Sequence, residues 1–161
     1  MDNMNLDIFE VLKTGLSIED VAIDTYSPLT LAFVGDNVYE LILRTKVVTD
    51  GNTAVNKLNK MTSDLACAKF QCELVNALMD DLNEDEIRVF KRGRNAKSNS
   101  KAKNASYNEY KHATGFETLI GYLYLTHNSE RIFELKLSVR HRCTASSLRL
   151  YIILFHTNIH I

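Results

Sequence analysis

No run of about eighteen apolar residues occurs in this chain, so no helical membrane span is expected. Residues Met1 to Asp7 lack the basic and apolar regions of a signal peptide, which points to a cytoplasmic protein. Cysteine is scarce. Cys67, Cys72 and Cys143 are odd in number and match no zinc spacing, so neither a disulfide framework nor a zinc site is expected, and Cys67 and Cys72 read as helix-packing residues. His127, His141, His156 and His160 show no ligand spacing either. Proline occurs once, at position 28. No apolar–polar alternation of strand length precedes residue 136, and no internal repeat is present. What remains is a helical protein.

The 161 residues suit one domain, and 45% apolar content supplies a real core. The formal net charge of -1 hides a strong asymmetry. Residues 1–86 carry sixteen acids against six Lys or Arg. Residues 87–108 then carry Arg88, Lys91, Arg92, Arg94, Lys97, Lys101 and Lys103 with no acid. Such a block suits a polyanion, because each phosphate it neutralises releases counterions. The alternative is a solvated basic loop.

A short amphipathic helix is expected from Leu6 to about Thr14. Ser27 as N-cap and Pro28 at the first helical position start a long helix to about Val48. Apolar residues on both sides of it predict a central helix surrounded by others. A further helix over Ala54–Met79 is expected to break near Thr62-Ser63. Asn83 caps the next, which holds Glu84, Asp85 and Glu86 in its first turn and ends near Gly93. Residues 94–106 read as a mobile polar loop, and a last strong helix spans Tyr107 to about Leu125. The fold class is all-α. Residues 136–161 form an atypical tail with no acid and an aggregation-prone run, Leu148 to Phe155, which suggests a non-native or disordered extension of a domain at 1–135.

Two carboxylates stand out. Asp36 lies within Phe33-Val34-Gly35-Asp36-Asn37-Val38-Tyr39-Glu40, and Glu117 within Thr114-Gly115-Phe116-Glu117-Thr118-Leu119-Ile120-Gly121. A charge among residues that should be buried needs compensation by a cation, a hydrogen-bond network or water. Two such acids suit a shared hard cation: Mg²⁺ takes oxygen ligands, keeps several waters and needs only one or two carboxylates beside a substrate phosphate. Gly35, Gly115 and Gly121 would let helices approach closely. The alternative is that each acid is a buried cap or salt-bridge partner. Glu40, one turn from Asp36, reads better as a structural hydrogen-bonding residue than as a ligand. Lys111 and His112 stand near enough to the Glu117 segment to touch phosphate or simply to face solvent. Glu73 is a further candidate to orient a neighbour, and Tyr122 and Tyr124 read as packing residues.

Phe33 to Glu40 resembles the signature helix of ribonuclease III domains, and Phe116 to Gly121 resembles that family's second carboxylate helix. The bacterial Mini-ribonuclease III group is more similar still. Gly35 to Glu40 matches its Gly-Asp-x-Val-Tyr-Glu motif, Arg92-Gly93-Arg94-Asn95-Ala96-Lys97 its basic segment, and His112 to Glu117 its His-x-Thr-x-Phe-Glu stretch. The resemblance covers roughly residues 22–135. Most ribonuclease III domains carry two further acids at the positions of Ala32 and Thr114, and the subgroup resembles this chain in lacking them. That leaves Asp36 and Glu117 as catalytic and metal-binding residues, with Thr114 available to hold water.

The resemblance implies an Mg²⁺-dependent endoribonuclease, with Mn²⁺ as a substitute, that cuts double-stranded RNA as a homodimer. It also implies maturation of precursor large-subunit (23S) ribosomal RNA, with a ribosomal protein or the assembling subunit as a further partner. Only 26 residues follow Leu135, too few for an appended RNA-binding domain. Arg88, Lys91, Arg92, Arg94, Asn95, Lys97, Lys101, Lys103, Lys111 and His112 are therefore the candidate RNA contacts. The rival reading is a non-catalytic, ribosome-associated RNA-binding module of the same fold.

Overall fold

Ser27 accepts a hydrogen bond from the Thr30 amide and Pro28 opens the helix behind it, as the local sequence predicts. In the computed structural model, which describes residues 8–19, 22–97 and 105–138, this is α2 (Pro28–Asp50). Around it lie α1 (Ile8–Gly15), α3 (Val55–Ala66), α4 (Ala68–Leu78), α5 (Glu84–Arg94), α6 (Tyr107–Leu125) and α7 (Ser129–Ser138). The described residues contain no strand, and the protein is all-α. None of these helices is long and apolar enough to cross a membrane. Lys101, Lys103 and residues 139–161 of the expected tail 136–161 lie outside the described residues, while 136–138 belong to α7.

The central element is α6, not α2. α6 packs against α2, α4, α5 and α7, and residues Ala113 to Phe116, Thr118 to Gly121 and Leu123 along it are buried. α2 buries Leu31, Tyr39, Leu43 and Val47 but leaves Phe33, Leu41 and Val48 exposed. The apolar pattern on both sides of α2 therefore describes one packed face and one open face. Leu43, Leu65, Leu74, Val75, Phe90, Phe116, Leu119 and Leu123 form the core between the helices. Each such side chain contributes roughly 1.5–3 kcal/mol by leaving water.

Two other boundaries differ from the sequence reading. The Ala54–Met79 helix breaks at Cys67, not at Thr62-Ser63. The Thr62 hydroxyl bonds back to the Leu58 carbonyl and so stays within the helix, whereas Cys67 takes an extended backbone (ψ 150°) that redirects the chain. α7 extends the helical region beyond Leu125. Its Arg131 binds the buried Glu86 carboxylate through two nitrogens, at 2.8 and 3.0 Å, and donates to the Asp81 carbonyl. Glu86 also closes the capping box with Asn83, so one acid joins the start of α5 to α7. Its burial works against ionisation, but the Arg131 and Asn83 hydrogen bonds prevail and hold its pKa low.

Candidate active site

The α2–α6 crossing is built on glycine. A methyl group on Gly35 would collide with the Glu117 carbonyl oxygen and stand 2.6 Å from the Gly121 nitrogen. One on Gly121 would strike the Leu31 carbonyl. Only glycine permits backbones this close. On the far side of α6, Gly115 lies under the Phe90 ring and Gly93 against Thr118, so α5 approaches equally closely. The Thr118 hydroxyl lies between the Thr114 and Pro28 carbonyls, at 2.7 and 3.1 Å, and ties α6 to the first turn of α2.

This crossing brings Asp36 and Glu117 together although some eighty residues separate them in sequence. Asp36 follows Gly35 at an exposed position, while Glu117 is half-buried. Neither is wholly enclosed, in contrast to what their apolar surroundings in sequence suggest. Burial and then the negative charge of Asp36 push the Glu117 carboxyl up to about 8. Partial burial and then Glu40 also raise Asp36. No Lys or Arg among the described residues offsets either acid. Two coupled carboxylates that resist ionisation together could hold a cation, whose charge would reverse both shifts.

A third polar group, one that the sequence reading overlooked, belongs to this crossing. Gln71 of α4 is 1% exposed, and its amide lies near enough to Glu117 to favour the carboxylate and lower that acid's pKa. Neither amide atom completes a hydrogen bond of good geometry, so the contact is electrostatic proximity rather than a formed bond. The sequence carried a signal for it. Gln71 lies on the 71, 74, 75, 78 stripe, whose other members Leu74, Val75 and Leu78 are core residues. Glu73 is half-buried two positions on. No third His, Cys, Asp or Glu forms a ligand group with the two acids among the described residues.

The supporting candidates fall as follows. Glu40 accepts from Arg44 at 3.0 Å in an exposed helical pair, and Arg44 also reaches Asn59. Such a pair contributes about 0.3–0.5 kcal/mol. Thr114 is buried and its hydroxyl donates to the Tyr110 carbonyl at 3.0 Å. Ala32 is buried in α2.

The basic segment divides. Arg94, Lys97 and Lys111 meet around a cleft of about 150 Å³ lined also by Gly93, Tyr107 and Thr114. Thr114, which lines this cleft, precedes Glu117 by about one turn of α6. Lys111 stands 4.8 Å from the centre of the Tyr107 ring and Arg94 5.7 Å from that of Phe90, aromatic faces that orient both cations. Arg88, Lys91 and Asn95 instead face outward along α5, with Arg88 paired to Asp85 at 2.8 Å. Arg92 is half-buried and donates to the Tyr26 carbonyl at 3.4 Å, which ties α5 to the approach of α2. His112 bonds through Nδ1 to the Asn108 carbonyl at 2.9 Å.

Residues 29–128 match the Ribonuclease III domain family. The chain is 51% identical over 110 residues to the Mini-ribonuclease 3 of Clostridium tetani, covering 68% of this chain and 73% of that protein. The chain belongs to the Mini-ribonuclease 3 group of the ribonuclease III family. The Mini-ribonuclease 3 of Thermoanaerobacter is 49% identical over 115 residues, covering 71% of this chain and 81% of that one. The fold is also similar to the crystal structure of a Fusobacterium nucleatum protein, with a TM-score of 0.64 and 34% identity over 70% of this chain and 90% of that one. Family membership makes this chain a ribonuclease of the ribonuclease III type, acting on RNA. The absence of acids at Ala32 and Thr114 belongs to a chain that is half identical to named nucleases of its group.

Proposed function

We propose that this protein is an Mg²⁺-dependent endoribonuclease that cleaves double-stranded RNA as a homodimer. The observation that carries the reading is the pair Asp36 and Glu117, coupled across the α2–α6 crossing with no cationic side chain among the described residues to balance them. Their donor set is all oxygen. Two carboxylates beside water and a substrate phosphate would suit Mg²⁺, and Mn²⁺ accepts the same ligands. Bound there, the cation supplies Lewis acidity toward water and the phosphoryl oxygens. Asp36 and Glu117 would hold it by their carboxylates, with Glu117 releasing the proton that its surroundings favour. Arg94, Lys97 and Lys111 neutralise backbone phosphates beside that centre, as suits duplex RNA recognised through shape and phosphates.

The open face of α2 supports the dimer. Phe33 is 74% exposed beside an apolar groove of about 520 Å³ formed with α1, α6 and α7. An isologous interface lets Phe33 of each copy enter the groove of the other. Precursor 23S ribosomal RNA, met in the cytoplasm with a ribosomal protein or the assembling large subunit, is the substrate that the family resemblance favours.

The test is cleavage of an end-labelled RNA duplex in Mg²⁺ and in EDTA, beside the Asp36→Asn variant. Cutting that needs Mg²⁺ and falls by at least about 100-fold in Asp36→Asn, with RNA binding retained, is expected. Normal turnover in that variant refutes the assignment, and binding without cutting by the wild type favours the non-catalytic module.

A further inference from the structure

Gln71 is placed where an amide is costly. It occupies a core position of α4 beside Leu74, Val75 and Leu78, 1% exposed, with neither amide atom in a completed hydrogen bond. A methionine of similar volume would fill the same space without an unsatisfied polar group, and burying such a group is unfavourable. A buried amide of this kind calls for a partner, and the polar group beside it is the Glu117 carboxyl.

We propose that Gln71 is a positioning residue for Glu117: its side-chain N–H completes a hydrogen bond to one carboxylate oxygen when the site is loaded, turning the other oxygen toward Asp36. The inference deepens the metal-site reading given above and rests on it. The chemistry is that of a neutral donor behind a ligating carboxylate. It fixes the orientation of the ligand without adding charge, and losing such a partner typically weakens metal affinity about 10–100-fold. Aspartate or glutamate at this position would add a third negative charge to a pair that already repels. Lysine would bring its own positive charge into competition with the cation. Glutamine does neither. α4 also makes this group independent of both ligand-bearing helices, so the carboxylate is held from a third direction.

The experiment is Mn²⁺ titration of the full-length protein followed by electron paramagnetic resonance, on wild type, Glu117→Gln and Gln71→Met. Gln71→Met is expected to fold with a thermal midpoint no lower than wild type and to bind Mn²⁺ about 10–100-fold more weakly. Equal Mn²⁺ affinity in wild type and Gln71→Met overturns the proposal while leaving the metal site standing. No binding by the wild type overturns the metal reading and the proposal together. A second measurement does not depend on the folding of any Gln71 variant. In ¹⁵N-labelled wild-type protein, saturating Mg²⁺ should shift the Gln71 side-chain amide signals and slow their exchange with water. Unmoved signals under conditions where Mg²⁺ binds also overturn the proposal.

Discussion

Replacing Glu117 by glutamine removes the charge that the α2–α6 crossing most disfavours. Burial and then Asp36 raise this carboxyl from 4.5 to about 8. Fully realised, that displacement corresponds to about 5 kcal/mol; water reaching a half-buried carboxyl and local relaxation reduce it to ~2–4 kcal/mol. The sign follows from proton binding. Between pH 4.5 and about 8 the folded protein holds a proton that the unfolded chain has released, so stability falls as pH rises through this window. Glu117→Gln has no such proton to lose. In urea unfolding with EDTA, the two proteins should agree within about 1 kcal/mol at pH 5. At pH 9 the variant should be more stable by ~2–4 kcal/mol, roughly 5–15 °C in Tm for a domain of this size. Mg²⁺ at pH 9 should restore the wild type and leave the variant unchanged, because a cation that binds only the folded ionised site stabilises it by mass action. Parallel stability curves from pH 5 to 9 would refute the coupling of Glu117 to its surroundings.

The crossing itself is tested by Gly35→Ala, which forces a methyl against the Glu117 carbonyl and should cost at least ~3 kcal/mol and most of the cleavage activity. Gly15→Ala, where nothing lies within 4 Å, should change stability by less than ~1 kcal/mol; similar losses at both sites would count against the close approach. Phe33→Asp should leave a folded protein of nearly unchanged monomer stability but convert dimer to monomer in sedimentation, since the side chain is 74% exposed. A dimer that survives this change would place the interface elsewhere. Neutralising Arg94, Lys97 and Lys111 to glutamine should flatten the salt dependence of duplex binding by about 2–3 in log–log slope. An unchanged slope removes the cleft from the RNA interface.

The helix caps were legible. Ser27-Pro28 and Asn83 start α2 and α5 where the residues say they should, because a cap is a bond between a side chain and an amide three residues away. The all-α class and the family were legible too, the first from the absence of strand alternation and the second from three motifs in order. What the sequence by itself determined is therefore most of the helical segments, which acids are out of place on them, and which family they resemble.

Only the tertiary structure decided how those segments meet. That Gly35 and Gly121 form one crossing, and so bring Asp36 to Glu117, depends on helices that no local rule aligns. The open face of α2 is set by which neighbours reach it, and apolar periodicity is blind to that. Arg92 looked like its basic neighbours until its guanidinium was found at the Tyr26 carbonyl, while Lys111, outside the basic block, joined Arg94 and Lys97. Gln71 shows the limit most sharply. Its place on a core stripe is written in the chain, but its significance depends on the carboxylate that another helix brings beside it. Periodicity and capping act between residues a few positions apart, whereas a site is made of distances between residues that the chain keeps far apart.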